Sequence, residues 1–526
     1  MKISVPYFNE TDFCDNYSNE DCRVIKIKKA GIESFDNYCS LFEKNGYTKF
    51  EMRKRAAQSF AAFYGEGEGI FLNHFDTIKE LTIVIERDSN YVSYDDIPQN
   101  YTLRPQITQV HLEDFGMSYA IRLSDGRFIV IDGGWDFTAE AKSLMDVLKK
   151  GSPEGKPVIA AWFLTHAHRD HYRCFNKFVQ MYEGEFIAEK FIFNFPFPEK
   201  AEFESLPRYP DLKDETYDYT NTSNAENMAL MRRNIEKIGG KIYMAHTGQV
   251  YKIGDAICEI LSTIDDTIDR GGDANSHSLI FRMELSGQVA LWTADGSFSH
   301  SQLIEKYGKY LKSDFFQVPH HGFGSGNPTT LVRGYSLVKP KVCLLPVSEF
   351  NGYTCIDTFI EETRFLMANQ GIDEMITGDE TVTLNLPYTS PAYKKEELRN
   401  KYLGGRYNAG SNCWIFTGLN TKNKEDFVFS ILDLSGAKDI YIELIFEETS
   451  QKIENIRTTV GRGRIKEVCI IDEKDVEKSP LYFNWESLNT KKIPENAPFA
   501  VRFLSSAPIV VSHKNHAPAY KSDFVF

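Results

Sequence analysis

Residues 163–172 read FLTHAHRDHY, and His166, His168, Asp170 and His171 fall within six positions of a chain that has 12 histidines in 526 residues. They follow PVIAAWFLT, a continuous apolar run of the kind expected for a strand buried on both faces. Neutral imidazole nitrogen together with carboxylate oxygen suits Zn, Mn or Fe. In an extended loop His166 and His168 project to the same side, because side chains alternate with period two, and can share one metal. Asp170 and His171 come where a helix begins and can turn toward a second. The spacing therefore points to two metals rather than to a single tetrahedral zinc. Chance placement of these residues at this spacing is improbable in a chain so poor in histidine.

Two metals need a bridging carboxylate and ligands from elsewhere, and the chain has candidates at matching places. Asp295 ends the apolar run QVALWTAD and precedes Gly296. His320 and His321 end DFFQVP and precede Gly322, and Asp132 ends RFIVID before two glycines. Taken singly, each has an ordinary reading: Asp132 as a turn residue, Asp295 as a loop cap, the histidines as a surface pair. In series with the first motif, all of them lie just past an apolar strand and can converge on one edge of the sheets.

The surrounding pattern alternates strands and helices. MSYAIRL, the turn SDG and RFIVID predict a hairpin, and AEAKSLMDVLKK predicts a helix. After FIFNF and an irregular stretch, Ser223 and Glu226 form a capping box for a helix that stops at Gly239-Gly240. KIYMAH, QVYKIG, AICEILS, SLIFRMEL and QVALWTAD read as strands, Ser299 and Gln302 as caps of a helix SQLIEKYG, and DTFIEETRFLMANQG as a helix ending at Gly371. This predicts an α/β architecture, a layered sandwich with helices outside and a site at the strand ends. Residues 1–104 read as a small α+β domain without chemistry of its own, with His74 a packed or solvated histidine. Residues 391–526 are strand-like with turns between, as in a β-rich C-terminal domain.

The set HAHRDH, Asp295 and HHG resembles the metallo-β-lactamase superfamily across residues 105–390. NSHSLIFRMELSGQVALWTADGS and FFQVPHHGFGSG are most similar to the soluble hydrolase domain of bacterial competence (DNA-uptake) proteins, and HHG also resembles phosphorylcholine esterases of the superfamily. The resemblance implies an αββα sandwich and two divalent metal ions, zinc first, with manganese or iron as alternatives. It implies His166 and His168 on one metal, Asp170 and His171 on the other, Asp295 bridging, His321 completing the second site and Asp132 orienting the loop. Many members add a third histidine to the first metal from a loop such as HTPGH. Here the matching loop reads GGDANSHSLIF, so His277 is a candidate and Asp273 or Asn275 an alternative. The usual glycines after the first motif are missing, and Cys174 there reads as a small buried helix residue rather than a nucleophile. His246 precedes a strand and is read as no ligand.

The chemistry implied is hydrolysis by a hydroxide bridging the metals, with Asp170 in the catalytic constellation and His320 binding a substrate oxygen or protonating the leaving group. A small phosphodiester is the expected substrate. Lactone, thioester or amide hydrolysis on the same fold is the alternative, and a binding or scaffold protein with a vestigial metal site is a third reading. Residues 195–222 carry Glu199, Glu202, Glu204, Asp211, Asp214, Glu215 and Asp218 against Lys200, Arg208 and Lys213. An acidic cover would repel a long nucleic acid, while Phe195, Phe197, Tyr209, Tyr217 and Tyr219 would enclose a compact ligand or a choline-like cation. The net charge of −14, with 42% hydrophobic and 25% charged residues, also argues against a chain-wide nucleic-acid or anionic-membrane surface. MKISVPYFNE does not read as a signal peptide, and the nine scattered cysteines show no disulfide pattern. These features predict a cytoplasmic protein without a membrane span, whose flanking domains offer surfaces for a protein partner.

Overall fold

The computed structural model describes residues 13–18, 21–94, 96, 100, 102–113, 115–153, 155–195, 222–267, 274–322, 328–347, 372–391, 411–433, 437, 439–446, 452–461, 465–472, 474, 485–490, 493–513 and 519–522. The chain divides into two compact units. One comprises residues 1–321, 325–348 and 376–388, and the other comprises 322–324, 349–375 and 389–526.

The first unit holds a sandwich. One sheet has the strand order Lys241–Met244, Lys190–Phe193, Val158–Phe163, Phe128–Asp132, Ser118–Arg122, Gln106–Gln109 and Val382–Asn385. Its first four strands are mutually parallel. The other sheet includes, in order, Val250–Ile253, Ala256–Ser262, Ile280–Leu285, Gln288–Trp292, Phe315–Gln317 and Val342–Leu344, the last three of these parallel. The alternation along FIVID shows how the layers form. Ile129 and Ile131 face the other sheet, whereas Phe128 and Val130 face the helices Thr138–Gly151 and Arg169–Tyr182. Between the sheets Phe163 stacks on Phe281 at 4.5 Å and Tyr119 meets Trp292 edge-on at 4.8 Å. On the far side Phe316 packs on Tyr335 of the helix Pro328–Val338 at 5.4 Å. Helices thus flank two stacked sheets, and the parallel strands send their carboxyl ends to a common edge, where α/β proteins place their sites.

Residues 13–87 form an antiparallel sheet with the helix Ile32–Lys44. One face packs on that helix through Ile25, Phe63, Leu72 and Ile83. The other face contributes Val24, Phe60, Phe71 and Val84 to the core between the sandwich sheets, so this sheet shares a core with the sandwich within one compact unit. His74 is buried on the helix face, with Nε2 2.9 Å from the Ala30 carbonyl oxygen and its ring 6.3 Å from that of Phe35, a packed histidine. The second unit is a β-structure around the long strand Pro498–His513, which pairs antiparallel with Ser411–Asn420, Val428–Asp433 and Ile440–Phe446. Among the described residues no helix is long and apolar enough to cross a membrane.

Two local expectations change. The helix expected from Ser299 begins only at Leu303, because Gln302 takes a left-handed backbone (φ 49°) and makes no side-chain cap. The helix expected at Ser223 starts one residue earlier, at Thr222. The helix expected over 357–371 lies outside the described residues, as do 196–221, which hold the acidic cover.

Candidate metal centre

Four strand ends build the centre. Phe128–Asp132 stops at Asp132, Val158–Phe163 runs into His166 and His168, Gln288–Trp292 into Asp295, and Phe315–Gln317 into His320 and His321. The helix Arg169–Tyr182 starts directly after His168 and carries Asp170 and His171 in its first turn. Turning the chain at these ends requires unusual backbone: φ is 53° at Asp132, 48° at Ala294, 50° at His320 and 53° at His321. Left-handed residues other than glycine are uncommon and concentrate where side chains must be aimed.

Two groups of donor atoms result, one from His166, His168 and Asp295, the other from Asp170, His171, Asp295 and His321, all buried. In the first, His166 Nε2 lies 2.9 Å from His168 Nδ1 and 3.7 Å from Asp295 Oδ2. In the second, Asp295 Oδ2 lies 3.3 Å from His171 Nε2 and 3.5 Å from His321 Nε2. Asp170 Oδ2 lies 3.5 Å and 3.2 Å from the same two nitrogens. A tetrahedral ion bound at about 2.0–2.1 Å sets its ligand atoms about 3.3–3.4 Å apart. The second group has this spacing on four edges, and Asp295 Oδ2 belongs to both groups, the place of a bridge. The buried His171 Nε2 and Asp295 Oδ1 make no hydrogen bond among the described residues. Buried polar atoms are as a rule satisfied, so this donor set fits divalent cations.

Asp132 sits beneath the groups and orients them. Its Oδ2 accepts from His171 Nδ1 at 2.8 Å and from the Thr165 hydroxyl at 2.6 Å, and its Oδ1 accepts from the Thr165 amide at 2.8 Å. With Nδ1–H donated to a carboxylate, His171 presents Nε2 to the centre. Burial opposes the charged form of His171, but Asp295, Asp170 and Asp132 outweigh it and hold its pKa well above the ordinary value. Burial likewise opposes charge on His321, and Asp295 and Asp170 raise it to about 9. Burial and the neighbouring His171 and His168 push His166 well down. Asp295 is held well below the usual carboxylate range: burial opposes its charge, and His171, His321 and His320 overcome that. Carboxylates and imidazoles here, all buried, compensate one another.

The remaining candidates fall outside the two groups. His320 Nε2 lies 3.8 Å from Asp295 Oδ2 and 3.3 Å from Asn275 Nδ2, and its side chain is 16% exposed. His277 Nδ1 lies 2.8 Å from the Thr267 hydroxyl, and His277 joins neither donor group. It sits in the short turn Asn275–His277, which directs Asn275 rather than His277 to the side of His320. Asp273 lies outside the described residues. Cys174 is buried in the helix-side core, and burial raises its thiol well above the ordinary value, so it offers no thiolate. Phe195 is buried against Tyr172 at 5.7 Å. Reading the sequence missed Thr165, which directly precedes the motif, and Phe115, Trp135 and Arg169 beside it. Only the proximity of Thr165 and Arg169 to the histidines signalled any of them.

The layered topology with this donor cluster at the carboxyl edge decides the fold. It is an αββα sandwich, two stacked sheets flanked by helices. No protein-family model matches the sequence, and no curated protein matches it. Among solved structures the chain is similar to the metallo-β-lactamase fold protein YhfI from Bacillus subtilis, at 14% identity and a TM-score of 0.28, over 46% of this chain and 86% of that one. It is similar to a metallo hydrolase from the archaeon Ignicoccus hospitalis, at 13% identity and a TM-score of 0.30, over 53% and 99% of the two chains. It is also similar to the Anabaena sensory rhodopsin transducer, at 24% identity and a TM-score of 0.14, over 20% of this chain and 95% of that one. Similarity of this degree says nothing about substrate.

Proposed function

We propose that the chain is a metal-dependent hydrolase acting on a small phosphodiester. The observation that carries this reading is the pair of buried donor groups sharing Asp295 Oδ2. His166, His168 and Asp295 would hold one divalent cation and Asp170, His171, His321 and Asp295 the other. Such a pair, when bound, supplies an acidified water and an electrophilic pull on a substrate oxygen.

The chain's own residues do the rest. Asp132 and Thr165 fix the tautomer and tilt of His171. His320, outside both groups, partly exposed and close to Asn275, is placed to bind a substrate oxygen or to give a proton to the leaving group. The phosphodiester part rests on the likeness of HHG and N-S-x-S-L to the phosphodiester-cleaving branch, and on the absence of an HTPGH-type loop.

The test combines elemental analysis of the purified full chain with competitive hydrolysis of bis-p-nitrophenyl phosphate, a lactone, a thioester and plasmid DNA. About two equivalents of metal with preference for the small diester is the expected result. A preference for the lactone or thioester overturns the phosphoester assignment. Efficient DNA cleavage with steep salt dependence overturns the small-substrate assignment, and a chain without metal that turns over nothing overturns the hydrolase reading.

A further inference from the structure

The wall of the centre nearest His321 is aromatic and ends in a cation. The Phe115 ring lies 5.8 Å from that of His321. Trp135 meets Phe115 edge-on at 5.6 Å, and its indole Nε1 donates to the Phe115 carbonyl at 2.6 Å. Phe137, 44% exposed, stacks on Trp135 at 5.9 Å and 6°. Arg169, exposed and adjacent in sequence to Asp170, lays its guanidinium 4.8 Å from the centroid of Trp135.

Both loops are tied to the helix that carries Asp170 and His171. The Met117 amide donates to the Asp170 carbonyl and the Gly134 amide to the His171 carbonyl, each at 3.2 Å. At Gly116 a Cβ would lie 2.9 Å from the Asp170 carbonyl oxygen, so glycine lets the loop approach and brings Phe115 onto His321. The wall is therefore held in register with the reacting edge. Aromatic rings left partly exposed beside a polar centre offer a flat group a surface to cover. The Trp135 face already carries a guanidinium, so a choline-like cation would have to displace it, whereas an anion would meet it.

We infer that this wall binds the non-reacting part of the substrate, a flat apolar group that lies against Phe115 and the edge of Trp135 and carries a negative charge toward Arg169. The inference rests on the hydrolase reading and names the substrate class of that centre: a phosphodiester whose second ester group is aromatic and anionic.

The experiment uses three 4-nitrophenyl phosphodiesters whose second group is methyl, phenyl or 3-carboxyphenyl. It also uses the corresponding phosphonates in titration calorimetry with the metal-loaded full chain. The expected order of kcat/KM and of affinity is carboxyphenyl above phenyl above methyl, with steps of about ten-fold for the charged contact. In the wild type, high salt should shrink the carboxyphenyl step and leave the phenyl step, because screening acts on charge alone. R169Q should abolish the carboxyphenyl step, and W135L the phenyl step. Equal ratios in wild type, absence of binding included, overturn the inference, as do ratios that neither salt nor R169Q changes. Phosphonates that bind in the predicted order without turnover of any diester would leave the wall and sink the hydrolase reading. Turnover without the order would do the reverse.

Discussion

Asp132 shows how much a residue outside the donor groups can control. It spends both carboxylate oxygens on Thr165 and His171 from a left-handed backbone position. Asp132→Asn keeps the shape but replaces one acceptor with a donor, which faces His171 Nδ1–H or the Thr165 donors. The expected result is a loss of metal affinity of about 10- to 100-fold, measured by chelator competition; unchanged affinity would refute the orienting role. His320 and His321 should separate in the same assay. His321→Ala should lower metal content, and His320→Ala should keep both metals and lose turnover. Both residues have left-handed backbone, and that turn sends His321 to Asp170 and Asp295 and His320 toward Asn275. Equal metal loss in the two variants would count against the separation.

Loops and helix starts, rather than the strands, set the centre's tolerance to change. The strand Phe128–Asp132 is legible from FIVID because its four apolar residues are buried and alternate between two apolar layers. The turn at Leu303 was misread because Ser299 and Gln302 have the right spacing for a capping box. In the fold Ser299 instead shares a hydrogen bond with Ser297, at 3.2 Å. The 115–117 loop is the sharper test of element-level packing. Gly116→Val places carbon within 2.9 Å of both the Asp170 carbonyl oxygen and Leu112 Cδ1. Overpacking of this kind costs about 1–3 kcal/mol, and it pushes the loop away from Asp170. Lower metal occupancy together with an earlier urea midpoint is expected, and wild-type values of both would show that the loop does not brace the ligands.

The N-terminal sheet and the sandwich depend on each other. Lys26 donates to the Asp266 carbonyl at 2.8 Å and pairs with Glu80 at 3.4 Å, while Lys306 meets Asp266 Oδ1 at 2.6 Å. His246 lies buried between Asp265 (2.6 Å) and Glu86 (3.4 Å) with Phe71 stacked at 5.2 Å. Removing residues 1–100 would uncover the apolar face that meets Phe60 and Phe71, take Lys26 from the Asp266 carbonyl and take Glu86 from His246. The truncated chain should be insoluble or metal-free, and a soluble, metal-loaded product on size exclusion would contradict this. Burial opposes charge on His246, but Asp265 and Glu86 raise its pKa to about 9. An imidazole in the unfolded chain titrates near 6.5. The folded value is the higher one, so this stabilisation is complete below about pH 6.5 and is lost as pH rises through about 9. It amounts to at most about 3 kcal/mol. Denaturation of the full chain at pH 6 and pH 9 should show it, and His246→Gln should flatten that part of the profile; an identical pH dependence in the variant would exclude His246 as its source.

The local pattern of residues was enough for the layered α/β class and for the strand ends on which candidate ligands stand. Apolar periodicity and the histidine motif are short-range signals, and burial on both faces leaves a continuous apolar run such as VIAAWF. Which of the later residues join depended on distances across the sheets. Asp295 stands 124 or more positions beyond the first motif, and only the parallel alignment of the strands brings its Oδ2 between His166 and His171. His277, two residues from Asn275, was a candidate on spacing alone, and a three-residue turn gave the side facing His320 to Asn275 instead. The wall of Phe115, Trp135 and Arg169 joins three separate segments that carry no common motif. Its members meet because two loops hydrogen-bond to one helix start, a long-range consequence of packing that no local pattern of residue types encodes.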